Sequence, residues 1–160
     1  MAEILIRATQ PGDAELLAAN MRISDAHEVR ACGHTPLEAA QGSVARSLLC
    51  WSAFADGELA CVIGCAPISI VSGIGSPWML GTPVLDAQSR VLVRLTPRYI
   101  ALMLKAFPHL VNHVHAENKT SVRWLKRLGF TLSEAAPFGA LGEAFHRFEM
   151  KGPSCVNQSR

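Results

Sequence analysis

From Leu59 to Leu85 the chain carries no charged residue. An uncharged run of that length is enough to cross a bilayer as a helix. Yet it contains Gly64, Pro67, Gly73, Gly75, Pro77, Gly81 and Pro83. In lipid, breakers at that density leave backbone N–H and C=O groups without partners. The run therefore reads as strands and loops packed against the core of a soluble protein.

The remaining composition agrees. A chain of 160 residues, 49% hydrophobic, suits one domain with a packed core. Fifteen Lys and Arg face thirteen Asp and Glu, a net charge of +2, so nucleic acid is not expected as a specific ligand. Glu3 and Arg7 flank only a few apolar residues, which is no signal peptide. The cysteines are Cys32, Cys50, Cys61, Cys65 and Cys155, an odd number with no Cys-x-x-Cys pair. Cys61 and Cys65 fall on one face of one strand, too far apart to bridge. Free thiols in a reducing compartment are expected, and no metal.

Periodicity sketches the elements. Ile4, Ile6 and Ala8 alternate as a first strand. Pro11 to Asp13 start a helix with Leu16, Ala19, Ile23 and Ala26 as its apolar stripe. Asn20 lies near that stripe, as an interface amide or a pocket donor. Thr35-Pro36-Leu37-Glu38 is a capping box opening a helix to about Ser47. Asp56-Gly57 sits between two strand-like runs as a hairpin signal, with Trp51 and Phe54 as core candidates. "SPWMLGT" reads as a strand with an irregular edge. "DAQSRVLVRL" reads as helix, kinked or restarted at Thr96-Pro97 and ended by Pro108. "HLVNHVHA" alternates as a strand, and "FTLSE" and "AFHRFEMK" are two more, joined by "AAPFGALGE". The order predicts an α/β fold, a mixed central sheet with helices on both faces, over residues 1–151. Residues 152–160 read as a flexible tail.

The stretch "NKTSVRWLKRLGF" is a helix with a clear start and stop. Asn118 is its N-cap, and Val122, Leu125 and Leu128 are its buried stripe. Gly129 fits the left-handed C′ position, after Lys126 and Arg127 in the last turn. This string resembles the C-terminal motif of the GNAT acetyltransferase superfamily, and the order of elements resembles that fold. The resemblance implies a cleft between the fourth strand, "SPWMLGT", and the fifth, "HLVNHVHA". It implies a coenzyme, acetyl-CoA, contacted there by Asn118, Trp78, Met79 and Leu80.

Three features of the family's pattern are missing. The phosphate loop reads Arg/Gln-x-x-Gly-x-Gly/Ala, whose small residues let backbone N–H groups approach the phosphates. From Arg94 its glycines become Pro97 and Tyr99; from Arg90, Val93 and Leu95; from Gln88, Val91 and Val93. The family's general acid, a Tyr four residues before the Gly, is replaced by Leu125. The fourth strand carries no carboxylate base. His113 and His115 are the candidate bases if the protein is active, although strand histidines are also commonly structural.

"SGIGSPWMLGT", "NKTSVRWLKRLGF" and "FHRFEM" together resemble the phage internal virion protein A-like group, itself GNAT-like. That implies a virion-associated or virion-assembly protein on a degenerate acetyltransferase scaffold. It would work with other phage structural or assembly proteins, in the host cytoplasm or the particle, and require no cofactor. The alternatives are an active acetyl-CoA-dependent N-acyltransferase with a non-standard phosphate site, and a phage factor that binds a host protein. Lys119, Arg123, Lys126 and Arg127 form a basic group, read as a solvated face, a phosphate dock or a partner-binding surface. The missing loop, acid and base imply a cleft left apolar and narrow, filled by Trp78 and Met79.

Overall fold

The computed structural model describes residues 1–153. Eight strands form one sheet: β1 (Ile4–Ala8), β2 (Leu49–Ala55), β3 (Glu58–Ser69), β4 (Ile74–Gly81), β5 (His109–His115), β6 (Thr131–Leu132), β7 (Ala136–Phe138) and β8 (Glu143–Lys151). Six helices accompany them: α1 (Asp13–Ala19), α2 (Ile23–Ala31), α3 (Pro36–Arg46), α4 (Pro83–Ala87), α5 (Ser89–Ala106) and α6 (Lys119–Leu128). The strand order is β1-β2-β3-β4-β5-β8-β6, with β7 also beside β8. Every pairing is antiparallel except β4 with β5.

The uncharged run supplies β3 and β4 near the middle of the sheet, and Leu59 to Cys65 are all buried. Asp56 and Gly57 both take positive φ, as the tight turn between β2 and β3 requires. α5 and α6 cover one face, packing on Ile63, Cys65, Leu110, Val114 and Phe148. α1 and α3 cover the other through Leu17, Ala40, Leu59 and Val62. Trp51 meets Tyr99 edge-on, and Phe54 carries the Arg7 guanidinium over its ring. The capping box at Thr35 and Glu38 is formed, and Gly129 closes α6 at φ 99.

Three local expectations need correction. The helix predicted through Leu16, Ala19, Ile23 and Ala26 is broken into α1 and α2. Leu16 is 45% and Ile23 89% exposed, while Leu17 is fully buried. The cause lies far away in sequence. Arg22 takes extended backbone, its N–H donates to the Gly81 carbonyl, and its buried guanidinium binds Asp25 and Asp86. Asn20 is left exposed at the end of α1, its amide donating to the Leu16 carbonyl, away from any interface or pocket. At Thr96-Pro97, where a kink or restart was expected, α5 runs on as one helix with Pro97 inside it. Finally, "AAPFGALGE" is not a plain connection, because Ala136 to Phe138 pair with β8.

Cys32, Cys50, Cys61 and Cys65 are free, and burial pushes the Cys61 and Cys65 thiols up to about 12. They stay protonated and unreactive. Cys155 and most of the tail reading lie outside the described residues. Gly152 is tied down by its N–H to the Pro108 carbonyl. No helix among the described residues is long and apolar enough to cross a membrane.

Candidate active site

β4 and β5 pair through two positions only, Ile74 with His109 and Gly75 with Leu110, and then part. The His109 N–H donates to the Gly73 carbonyl. Two-residue steps along both strands make His113 N–H to Pro77 C=O the bond that a continued ladder would form. The Asn112 side chain takes both groups instead. Its Nδ2 donates to the Pro77 carbonyl at 2.8 Å, and its Oδ1 accepts from the His113 N–H at 2.8 Å. One side-chain amide is thus wedged between the strands where they separate.

Beyond the wedge, α2 caps both separated edges with carboxylates one helical turn apart. Asp25 accepts from the Gly81 N–H of β4 at 2.7 Å, and Glu28 from the His115 N–H of β5 at 3.1 Å. On β4, Pro77 and Gly81 turn their backbone groups into the gap, so the strand's repeat turns Met79 the same way. The Met79 N–H and C=O are left facing the gap with no protein partner among the described residues.

Two cavities open along this free edge. The larger, about 590 Å³, runs through the gap, lined by Glu28, Glu38 and His113 toward α2 and α3 and by Ile100, Met103 and Leu125 toward α5 and α6. The smaller, about 270 Å³, lies on the α5 and α6 side, where Thr96, Tyr99, Arg123 and Arg127 line it. Ile63, Met79, Thr96, Ser121 and Trp124 line both, so the two meet at Met79. Among the described residues, the Trp124 indole N–H is the one buried side-chain polar group with no hydrogen-bond partner. An orphaned buried donor costs about 1–3 kcal/mol unless something accepts from it.

The cleft is therefore neither closed nor filled, contrary to the expectation of a narrow gap. Trp78 lies over Gly64 with its indole N–H on Ser47 Oγ at 2.7 Å, and Leu80 packs beside it toward α1 and α3. Both line the larger cavity without plugging the gap. Of the residues expected at the coenzyme, Met79 sits at the junction. Asn118 caps α6 by accepting from the Ser121 N–H at 3.3 Å, and its Nδ2 donates to Glu28 at 3.4 Å.

The two histidines differ. His113 is half-buried in the wall of the larger cavity, stacked on Phe138 at 3.7 Å. Burial, helped by the Arg147 charge, lowers its pKa and keeps it neutral. His115 is buried, and its Nδ1 accepts from the Glu117 N–H at 3.1 Å. Its Nε2 must then carry the proton and donate to Glu143 at 3.1 Å. No lone pair remains for a base. The same tautomer argues against a metal at His27, His115 and Glu143, whose ligand atoms lie within 4.8 Å of one another. Of the basic group, Arg123 and Arg127 line the smaller cavity, whereas Lys119 and Lys126 are exposed outside it.

A carboxylate stands in the cleft after all, on α2 rather than β4. Glu28 is half-buried, and burial raises its pKa to about 7 against the hydrogen bonds from His115 and Asn118 that lower it. Nothing in the sequence marked it, because its neighbours come from elements far along the chain. After β4, by contrast, several backbone donors are already engaged. Val84 donates to Thr82 Oγ1, Leu85 to the Thr82 carbonyl, Gln88 to Val84, and Val91 and Leu92 to Gln88. Helix α5 runs through Arg94–Tyr99, where a phosphate cradle was sought.

This arrangement of strands and helices has counterparts among solved structures. The fold is that of the GNAT N-acetyltransferases. The ribosomal-protein-S18-alanine N-acetyltransferase from Escherichia coli superposes with a TM-score of 0.70 at 14% identity, over 99% of this chain and 100% of that one. A GNAT-family acetyltransferase from Streptococcus pneumoniae gives 0.65 at 14% identity, over 94% and 100%. The spermidine N-acetyltransferase from Vibrio cholerae, in complex with CoA and spermine, gives 0.67 at 13% identity, over 92% and 95%. At these identities the likeness is one of fold. No family model matches the sequence, and no curated protein matches it significantly.

Proposed function

We propose that this GNAT-fold protein is an acetyl-CoA-dependent N-acyltransferase whose coenzyme phosphate site differs from the usual one. The observation that carries the reading is the free N–H and C=O of Met79 at the junction of two cavities that meet in the gap. A strand edge held open in a protein interior offers its unpaired N–H and C=O to whatever enters the gap. An extended amide-bearing arm, such as the pantetheine of CoA, pairs with such an edge as a further strand would. The orphaned Trp124 N–H at the same junction fits that occupant.

Acetyl-CoA supplies an acyl group activated as a thioester. On this reading the Met79 C=O accepts from an amide of the arm and the Met79 N–H donates to the thioester carbonyl oxygen, where negative charge develops, a contribution of about 100-fold or more in rate. Glu28, on the wall of the larger cavity, accepts the proton that the attacking amine gives up as its C–N bond forms and the C–S bond breaks. A carboxylate with a pKa near 7 is matched to that task at neutral pH. His113, held neutral, lines the same cavity as a second proton acceptor. Leu125 gives no acid, but a leaving thiol with a pKa of about 8.5 departs as thiolate and takes its proton from water.

The test is purified protein with acetyl-CoA and a panel of primary amines and peptide N-termini, following thiol release. Turnover that falls about 100-fold in Glu28→Gln, with CoA affinity retained, supports the reading. Absence of CoA binding by calorimetry overturns it. A second reading keeps the scaffold and drops the reaction: a phage virion or assembly protein of the host cytoplasm, or a phage factor that binds a host protein. The helix in place of the phosphate loop and Leu125 in place of the acid favour it. Co-purification with virions, together with failure to bind CoA, would establish it.

A further inference from the structure

We infer that side chains of α6, in place of the backbone after β4, hold the coenzyme: Arg123 and Arg127 its phosphates, Trp124 its arm at the junction. The inference rests on the acyltransferase reading and specifies its binding site. A phosphate needs several converging donors. The Val84, Leu85, Gln88, Val91 and Leu92 N–H groups are engaged locally, so the segment after β4 leaves few free donors. Opposite it, across the smaller cavity, Ser89 and Val93 of α5 face Arg123 and Arg127 of α6.

Arg123 and Arg127 are one turn apart, about 6 Å along the helix. That spacing suits the two halves of a diphosphate, each read by a guanidinium fork. Neither has an ion-pair partner among the described residues. The other charges lining the cavity cancel, since Arg22 is bound to Asp86 at 2.7 Å and to Asp25 at 2.8 Å. The cavity thus has two uncompensated positive charges at its wall, and Trp124, which also lines it, carries a buried indole N–H without a partner. Trp124 lies next to Arg123 in sequence and on the same side of α6, so one helix face carries both contacts.

Calorimetric titration with CoA, and with pantetheine as the phosphate-free probe, tests the assignment. The wild-type protein should bind CoA at least about 100-fold more tightly than pantetheine, and less tightly as salt rises. The exposed-site double variant Arg123→Gln/Arg127→Gln should erase that preference while melting as the wild type does. Trp124→Phe, which keeps the ring and removes the N–H, should weaken CoA binding about 10-fold. Lys126→Gln should leave CoA affinity within about threefold. A double variant that binds CoA like wild type, or a wild type that does not prefer CoA to pantetheine, overturns the phosphate assignment and leaves the acyltransferase reading standing. Failure of the wild type to bind either probe overturns both.

Discussion

Replacing Glu28 with Gln should make the protein more stable and less active, and the two effects should follow the same titration. In the folded state burial raises this carboxyl from 4.5 to about 7. Between those pH values the folded chain keeps a proton that the unfolded chain has released. Stability therefore falls as pH rises through that window, and the loss is complete above pH 7. Two and a half units at about 1.4 kcal/mol each set the loss at about 3 kcal/mol. Gln is isosteric, can still accept from the His115 N–H, and does not titrate. Urea unfolding of both proteins from pH 4.5 to 8.5 isolates the term, because all other groups cancel in the difference. At pH 8 the variant should gain about 3 kcal/mol relative to its advantage at pH 4.5, or about 6–12 °C in melting temperature for a chain of this size. Wild-type turnover should rise with pH through about 7, and the variant should lose that limb with a rate about 100-fold lower. A wild-type-to-variant difference that does not change with pH would refute the reasoning, since it would mean that Glu28 ionises as freely folded as unfolded.

Other substitutions probe the gap from its remaining sides. Met79→Pro removes the unpaired β4 N–H facing the gap without touching the ladder to β3, as Pro77 already does two residues earlier; circular dichroism should show a folded protein and the acyl-transfer assay about a 100-fold loss. Asn112→Leu leaves the Pro77 carbonyl and the His113 N–H unpaired and should cost about 2–4 kcal/mol by urea unfolding, more than an exposed amide of the same type. Asn118→Ala removes the cap on the Ser121 N–H and should lower stability by about 1 kcal/mol, read from the melting curve.

What was legible in the sequence follows local rules. The Asp56-Gly57 turn, the Thr35–Glu38 box and the ends of α6 at Asn118 and Gly129 each depend on residues a few positions apart. The break between α1 and α2 was not legible, because it is imposed by Gly81 and Asp86 docking onto Arg22 from the far side of the sheet. The same break rotates α2, so that Asp25 and Glu28 reach the strand edges while Ile23 points to solvent. A stripe drawn through one continuous helix puts the wrong face inward and hides the carboxylates. His113 and His115 looked equivalent by alternation on one strand. Only their surroundings separate them: Phe138 against one ring, and Glu117 and Glu143 at the two nitrogens of the other.

The gap between β4 and β5 does not depend on a bound molecule to stay open, and this bears on how an altered coenzyme site could work. Closing it would require His113 N–H to reach the Pro77 carbonyl, but the Asn112 amide satisfies both at good geometry. Closing it further along would require β5 to displace Asp25 and Glu28, each already bonded to a strand N–H. Each capped group is worth about 1–3 kcal/mol if stripped of its partner. The open form is therefore the low-energy one, and the entropy of organising the cleft is met in folding rather than in binding. A site preorganised in this way needs less from its phosphate contacts. Two arginines on a helix can then replace a backbone loop, and a carboxylate on α2 can replace one on β4, without the strands having to move.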